Sequence, residues 1–239
     1  SSLSNQTKLI SVINEENYKS YRKNFHNLKD LIISKNFSKI KKNRLVSKDA
    51  NQSLQKIFTI NDFKEKGLNF NDEKKLIKKI NMNAKDADLI VVQDFGHGLF
   101  SKKISKTISK FSKKISLNVQ ANSLNYGFNI VGDKLKKCKT LVLDERELQL
   151  NVGNKNFDYS QKLSELRKKL SAKYAFLTRG DKYSILVDQL NNKITVPKLN
   201  NKPIDAMGAG DIFHGMASVM CVTSTNSFLN LFLSQIAGA

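Results

Sequence analysis

Residues 204–215 read Ile-Asp-Ala-Met-Gly-Ala-Gly-Asp-Ile-Phe-His-Gly, and no other stretch of the chain is as informative. The two glycines allow a tight turn and close approach of the backbone to a ligand. The apolar run that follows, 212–222, predicts a helix buried against a sheet. Free N–H groups and the dipole at a helix start favour an anion. Asp211 is then a candidate base for an attacking hydroxyl. The alternative is an ordinary turn with Asp211 as a helix cap.

The sequence before this stretch predicts strands that alternate with helices. Apolar runs typical of buried parallel strands recur along the chain, and a hairpin then leads to the glycine loop. The predicted strands are 88–93, 115–119, 140–143, 174–178 and the hairpin 184–188 with 193–197; the predicted helices are 72–83, 101–113 and 159–171. This alternation predicts an α/β fold, a mostly parallel central sheet with helices on both faces in a three-layer α/β/α sandwich.

The first third of the chain has weaker patterns. A strand is predicted at 8–13, and helical spacing of apolar residues predicts a helix over 15–33. Two short strands with a polar turn at 48–51 are predicted between 43 and 60. Because there is no internal repeat and no low-complexity linker, we expect one domain over 1–239. The chain begins without Met and ends within an apolar helix pattern, so we expect it to be incomplete at both ends.

Polar residues follow each predicted parallel strand at its carboxyl end. Ligands of open parallel sheets bind at that edge, so these residues predict a site. They are Asp94 and Gly96, Asn118 to Asn122, Asp144 and Glu147, and Thr178 and Gly180. The presence of these polar residues at one edge of the sheet does not identify the ligand.

The composition argues against a nucleic-acid partner. The formal net charge of the 239 residues is +20, which is typical of nucleic-acid binding. However, only five of the 41 basic residues are Arg, and the Lys residues are spread along the whole chain. The basic residues do not alternate with aromatic residues as in a base-stacking surface. We therefore expect no nucleic-acid partner, although the charge would favour anionic substrates.

The Cys and His residues predict neither disulfides nor a metal motif. Cys138 and Cys221 are far apart and are expected to be buried thiols in a reducing compartment. His26, His97 and His214 form no metal motif, and His214 is expected to serve packing. With no secretory signal and no apolar stretch long enough to span a bilayer, we expect a cytoplasmic protein without a membrane partner.

Residues 205–211 resemble the C-terminal Asp-Thr-x-Gly-Ala-Gly-Asp motif of the ribokinase-like (PfkB) carbohydrate kinases, with Ala206 in place of Thr. The resemblance implies a ribokinase-like fold with a partial β lid over about 36–62. It also implies that ATP donates a phosphoryl group to a sugar hydroxyl. The roles it implies are an anion hole at Gly208, Ala209 and Gly210 and a catalytic base at Asp211.

Two further segments resemble the nucleotide and metal sites of this family. The segment 178–183 resembles its Thr-x-Gly-x-x-Gly loop, which implies that Thr178 and Gly180, with Asp205, bind ATP; Tyr183 stands where Gly is usual. An ordinary turn is the alternative. Asp144 and Glu147 match the ends of its Asn-x-x-Glu motif, which supports Mg²⁺ through water. Here the alternative is helix capping.

The sugar site is implied by resemblance to the D-glycero-β-D-manno-heptose-7-phosphate kinase branch, which belongs to ADP-heptose synthesis. Residues 94–98 resemble its Asp-Tyr-Gly-Lys-Gly loop, and 43–58 resemble its lid strands. The substrate-binding candidates are Asp94, Gly96, Asn118, Asn122 and Arg44. Amides suit sugar hydroxyls because they both donate and accept hydrogen bonds. Compositional drift toward Asn, and a merely solvated Arg44, are the alternatives.

The predicted activity is therefore ATP-dependent phosphorylation of a sugar or sugar phosphate of the heptose-7-phosphate kind, with Mg²⁺. A homodimer and a fused nucleotidyltransferase domain in the parent protein are compatible with it. The alternative is a degenerate or non-catalytic nucleotide-binding module of a larger fused protein, because Tyr183, Ala206 and Asp144 depart from the family motifs.

Overall fold

The computed structural model describes residues 7–22, 28–48, 54–62, 67–121, 129–199 and 208–239. Its contacts divide the chain into two compact units. The first comprises residues 1–85 and 97–108, and the second comprises 86–96 and 109–239. The single-domain organisation of 1–239 stays a prediction.

The first unit contains two small sheets and three α-helices in the described residues. Its elements in chain order are β1 (Val12–Asn14), α1 (Glu15–Tyr21), β2 (Ile32–Ser34), β3 (Lys41–Lys48), β4 (Leu54–Asp62), α2 (Phe70–Ala84) and α3 (Lys102–Ser109). Strands β1 and β2 are parallel, whereas β3 and β4 are antiparallel with a register shift after Leu45. The predicted strand pair between 43 and 60 is thus confirmed, and the lid role of this hairpin stays a prediction.

The helix predicted over 15–33 is wrong at its end. Helix α1 begins because Asn14 accepts a hydrogen bond from the Glu16 N–H at 3.0 Å, and it ends at Tyr21. Ile32 instead lies in β2 opposite Val12, where both side chains are buried. Tertiary pairing therefore overrides the helical spacing of the apolar residues.

The second unit contains the larger sheet. Its elements are β5 (Ile90–Asp94), β6 (Ile115–Val119), α4 (Val131–Lys134), β7 (Thr140–Asp144), α5 (Glu145–Val152), α6 (Tyr159–Lys169), β8 (Tyr174–Thr178), β9 (Tyr183–Asp188), β10 (Lys193–Pro197), α7 (Ala209–Thr223) and α8 (Ser227–Ala237). The strand order is β10-β9-β8-β7-β6-β5. Strands β5 to β8 are parallel, and β9 and β10 form the antiparallel hairpin. These strands confirm the predicted α/β fold.

The core of the second unit lies between the sheet and the last two helices. Phe213 of α7 meets Phe176 of β8 edge to face, with ring centroids 6.0 Å apart. Leu231 of α8 is buried in the same cluster. Burying a side chain such as Phe213 contributes about 2–3 kcal/mol, which holds α7 on the sheet. The start of α7 thereby has a fixed place beside the strands.

Candidate active site

The start of α7 is open. Gly208 precedes the helix with φ +84°, a left-handed conformation that favours glycine, and no side-chain cap is found at this helix start. Its carbonyl accepts the first helical bond, from the Ile212 N–H at 3.0 Å. A Cβ added at Gly208 or Gly210 would meet no atom of the described residues within 4 Å. The first N–H groups of a helix have no partner within the helix and favour an anion, so an uncapped start suits an oxyanion such as a phosphoryl group.

Asp211 lies at the carboxyl ends of two parallel strands. Its Oδ1 accepts a hydrogen bond from Gln93 Nε2 at 2.5 Å and another from Gln120 Nε2 at 2.9 Å. Gln93 is the second-last residue of β5, and Gln120 directly follows β6. Asp211 does not cap α7, because Gly208 holds that position. The alternative of Asp211 as a helix cap is therefore wrong.

The environment of Asp211 raises its pKa above the ordinary value of Asp. Partial burial of the carboxyl disfavours the charged form, while the hydrogen bonds from Gln120 and Gln93 oppose that effect without cancelling it. A carboxylate with a raised pKa is a better proton acceptor. The side chain still has an exposed part, so a ligand in solution can reach it.

The sequence did not single out the two glutamines as site residues. Gln93 interrupts the apolar run of β5, and Gln120 lies in the amide-rich segment after β6. The signal available in the sequence was Gln93, a polar residue near the end of an otherwise apolar strand. Its partner, Asp211, is 118 positions away in sequence, so local pattern could not identify it.

Asp94 and Gly96 form a hydrogen bond that fixes the loop after β5. Asp94 is 4% exposed, and its Oδ1 accepts a hydrogen bond from the Gly96 N–H at 2.9 Å. Its Oδ2 lies 3.2 Å from Lys134 Nζ of α4. The Asp94 carbonyl accepts from the Gln120 N–H at 2.8 Å, which extends the pairing of β5 with β6. The direct contact of Asp94 and Gly96 with a sugar stays a prediction.

Asp144 and Glu147 form a complete capping box at the start of α5. Asp144 Oδ1 accepts from the Glu147 N–H at 2.7 Å, and Glu147 Oε2 accepts from the Asp144 N–H at 2.9 Å. Glu147 Oε1 also accepts from the Ala121 N–H, and Asn118 Nδ2 donates to Oε2 at 3.2 Å. Burial first, and the nearby Asp144 second, raise the pKa of Glu147. The capping alternative is confirmed for this pair.

This geometry does not fit direct ligation of a metal. Both Glu147 oxygens already accept protein N–H donors, and the side chain is 4% exposed. Within the described part of the chain, no group of three or more His, Cys, Asp or Glu side chains could hold a metal ion. Asp144 is exposed and could face a metal-bound water. A Mg²⁺ role for Asp144 and Glu147 through water stays a prediction, and no chemical step is derived from it.

The segment after β8 is organised around Arg179. Its Nη2 donates to Glu145 Oε1 at 2.5 Å, and Nη1 donates to the Tyr183 hydroxyl. The guanidinium lies 3.8 Å from the centre of the Tyr159 ring and 4.7 Å from that of Tyr183. Tyr183, which occupies the position of a family glycine, therefore has a structural contact of its own.

Thr178 and Gly180 flank this arginine. Thr178 is the last residue of β8, and Gly180 has φ +55° with no atom of the described chain within 4 Å of an added Cβ. The segment therefore turns tightly at Gly180. The binding of ATP by Thr178 and Gly180 stays a prediction.

Four predicted site residues remain: Asn118, Arg44, Asn122 and Asp205. Asn118 is buried, with Nδ2 also donating to the Val142 carbonyl at 3.0 Å. Arg44 is exposed on β3 in the first unit. Asn122 and Asp205 lie outside the described residues.

Comparison with known proteins gives one curated relative and many structural neighbours. No family model matches the chain. The bifunctional protein HldE of Aliarcobacter butzleri (strain RM4018) is 22% identical over 244 residues, which cover 96% of this chain and 49% of that protein. The chain thus spans about half the length of this relative.

Solved structures with a similar fold include phosphofructokinase-2, a ribokinase and a nucleoside kinase. Phosphofructokinase-2 from Escherichia coli with potassium has a TM-score of 0.68 at 15% identity, covering 95% of this chain and 72% of that one. Arabidopsis thaliana ribokinase with ribose and ATP has a TM-score of 0.64 at 16% identity, covering 96% and 73%. Burkholderia thailandensis nucleoside kinase with inosine has a TM-score of 0.64 at 11% identity, covering 97% and 73%.

The fold is ribokinase-like. These similarities confirm the predicted α/β architecture with its mostly parallel sheet, and at such identities they show the fold alone. In the described ranges, no helix has the length and apolarity needed to cross a bilayer.

Proposed function

We propose that this chain is the kinase part of a protein that transfers a phosphoryl group from ATP to a hydroxyl of a sugar or sugar phosphate. One observation carries the proposal. The Asp211 carboxylate, held by Gln93 and Gln120, lies in the first turn of a helix whose start is uncapped and open. An acid beside an anion-binding helix start is the arrangement that hydroxyl phosphorylation requires.

Asp211 acts as the base. Its Oδ1 takes both glutamine hydrogen bonds, which leaves Oδ2 to accept the proton of the attacking hydroxyl. The two amides fix the carboxylate, so little reorganisation is needed when the hydroxyl arrives. The raised pKa of Asp211 increases the driving force for this proton transfer.

The amides at the start of α7 stabilise the transferred group. Bound ATP supplies the phosphoryl group. Gly208 turns the chain so that the N–H groups of Ala209 and Gly210 point toward it, and the helix dipole adds favourable charge. We infer that Thr178, Gly180 and Asp205 hold the nucleotide.

The substrate we infer is a sugar phosphate of the heptose-7-phosphate kind. Two facts support it: the loop 94–98 resembles that of the heptose-phosphate kinases, and HldE is 22% identical over 96% of the chain. The net charge of +20 favours an anionic substrate. Asp94, Gly96, Asn118, Asn122 and Arg44 remain its proposed contacts. A fused nucleotidyltransferase domain and a homodimer belong to the same proposal.

A non-catalytic nucleotide-binding module is the second candidate. It is favoured by the polar side chains beside β7 and β8, which already form hydrogen bonds with other groups of the protein. Glu147 is saturated by N–H donors, and Arg179 is paired with Glu145 and Tyr183 rather than open to a ligand. Such a module would bind ATP without transferring its phosphate.

Asp211→Asn separates the two candidates. In the parent protein supplied with ATP, Mg²⁺ and a panel of sugars and sugar phosphates, we expect the variant to lose about 10²- to 10⁴-fold in kcat. Its affinity for ATP should change little. Asp88→Asn is the matched control, because Asp88 is exposed and precedes β5 at the opposite edge of the sheet. Equal transfer rates for Asp211→Asn and wild type would remove Asp211 as the base, and ATP binding without transfer in the wild type would support the module.

A further inference from the structure

A buried polar cluster joins α7 to β6 one turn below Asp211. His214 is 1% exposed, and Ser218 and Ser116 are completely buried. His214 Nε2 lies 3.1 Å from Ser116 Oγ, and Ser218 Oγ donates to Ser116 Oγ at 2.7 Å. Three polar side chains in a helix–sheet contact are costly unless they bond one another. The cluster therefore requires an explanation beyond packing.

The cluster and Asp211 share one face of α7. Asp211, His214 and Ser218 are separated by three and four residues, so they point in nearly the same direction. Ser116 of β6 and Gln120, which directly follows β6, are four residues apart, and the alternation of side chains along extended backbone places them on the same side of the sheet. Helix α7 is thus joined to β6 twice, through Asp211 with Gln120 and through the serine–histidine cluster.

Apolar contacts and hydrogen bonds constrain the orientation of α7 in different ways. Apolar contacts are non-directional, so a helix held by them alone can rotate about its axis by small amounts. A hydrogen bond to a fixed strand requires a defined direction. A rotation of α7 that breaks the bond between His214 and Ser116 also turns Asp211 away from Gln93 and Gln120.

We propose that His214 is a positioning residue, whose hydrogen bond to Ser116 fixes the rotation of α7 and thereby holds Asp211 against Gln93 and Gln120. The effect of His214 on catalysis rests on the proposed function, whereas its effect on the position of Asp211 does not. The imidazole does this as a neutral group. Burial lowers the pKa of His214 to about 4, against the opposing effect of a hydrogen bond to the backbone of Ser116, so no charge is placed beneath Asp211 at neutral pH.

The NMR signals of the side-chain amides of Gln93 and Gln120 measure directly whether Asp211 stays in place. We expect His214→Leu to shift their NH₂ signals in ¹H–¹⁵N NMR of the full chain toward those of Asp211→Ala, in which no side-chain acceptor remains. His214→Gln should keep the wild-type signals, because its side-chain amide can either donate to or accept from Ser116 Oγ in place of the imidazole Nε2. Ser116→Ala provides a second route to the same loss if His214→Leu folds poorly.

Cys221→Ala is the control for a general packing effect. Cys221 lies on α7 and is buried, but it makes no contact with Ser116 in the bonds described. It should lower the unfolding midpoint and leave both amide signals unchanged. If Cys221→Ala shifts them as much as His214→Leu does, or if His214→Leu and Ser116→Ala leave them in place, the inference is overturned.

Kinetics extend the test to the proposed reaction. Because a small misplacement of a catalytic group can cost about 100-fold, kcat of His214→Leu should fall by about that factor. KM for ATP should stay within about twofold, and His214→Gln should restore kcat. Shifted amide signals in a chain that never transfers phosphate would support the positioning role and contradict the kinase proposal. Unshifted signals in an active enzyme would do the reverse.

Discussion

The starts of α5 and α7 lie beside the same edge of the sheet and are built in opposite ways. At α5, Asp144 and Glu147 bond each other's backbone N–H groups, so the helix start is closed by its own side chains. At α7, a left-handed Gly208 takes the capping position and supplies no side chain. A carboxylate stands in the first turn of each helix, but in the described residues no side chain caps the start of α7. Whether the helix start is capped therefore separates a structural acid from a candidate catalytic one.

The largest effect that tests this contrast is on stability. Glu147→Ala leaves the N–H groups of Asp144, Ala121 and Asn118 without their acceptor. An unmet buried donor costs about 1–3 kcal/mol, so we expect a loss of roughly 3 kcal/mol or more in the free energy of unfolding, measured by urea denaturation.

Asp211→Ala is the matched change at α7. The hydrogen bonds of Gln93 and Gln120 to Asp211 are exposed, so both amides can bond water instead, and we expect a change within about 0.5 kcal/mol. A loss at Asp211 as large as that at Glu147 would mean that both acids are structural.

A smaller effect comes from the two glycines of the loop. Gly208→Ala places a Cβ at φ +84°, a strain of roughly 1–2 kcal/mol against folding. Gly210 lies in α7 with an ordinary φ and open space around an added Cβ. Gly210→Ala should therefore raise the free energy of unfolding, by up to about 1 kcal/mol.

The opposite effects expected for Gly208→Ala and Gly210→Ala on the free energy of unfolding help to define the role of Gly210. If Gly210→Ala stabilises the fold and also lowers phosphoryl transfer, the glycine is kept for the ligand rather than for the helix. Equal destabilisation by both alanines, measured in the same denaturation experiment, would show that the loop is held by contacts unlike those described here.

The sequence predicted the strands of the sheet and Asp211 because both rest on local pattern. Apolar runs mark β6 and β8, and glycines before an apolar run mark the start of α7. The same local reasoning was wrong at Ile32, whose helical spacing gave way to pairing with β1.

Other features depend on contacts that pattern cannot show. Gln93 and Gln120 reach Asp211 across 118 and 91 residues, and the partner of His214 is 98 residues away. The pair Asp144 and Glu147 could be interpreted either as a metal site or as a capping box. Only the hydrogen bonds of Glu147 decided that it caps α5.

The most direct test of the account is an NMR titration of the backbone amides with ATP, and with inorganic phosphate as the simpler probe. We predict that the amide signals of Ala209, Gly210 and Asp211 shift with added ligand, because the start of α7 is open. Those of Arg146 and Glu147 should stay in place, because the start of α5 is closed by its own acids. Saturable shifts at α5 with none at α7 would contradict the central claim.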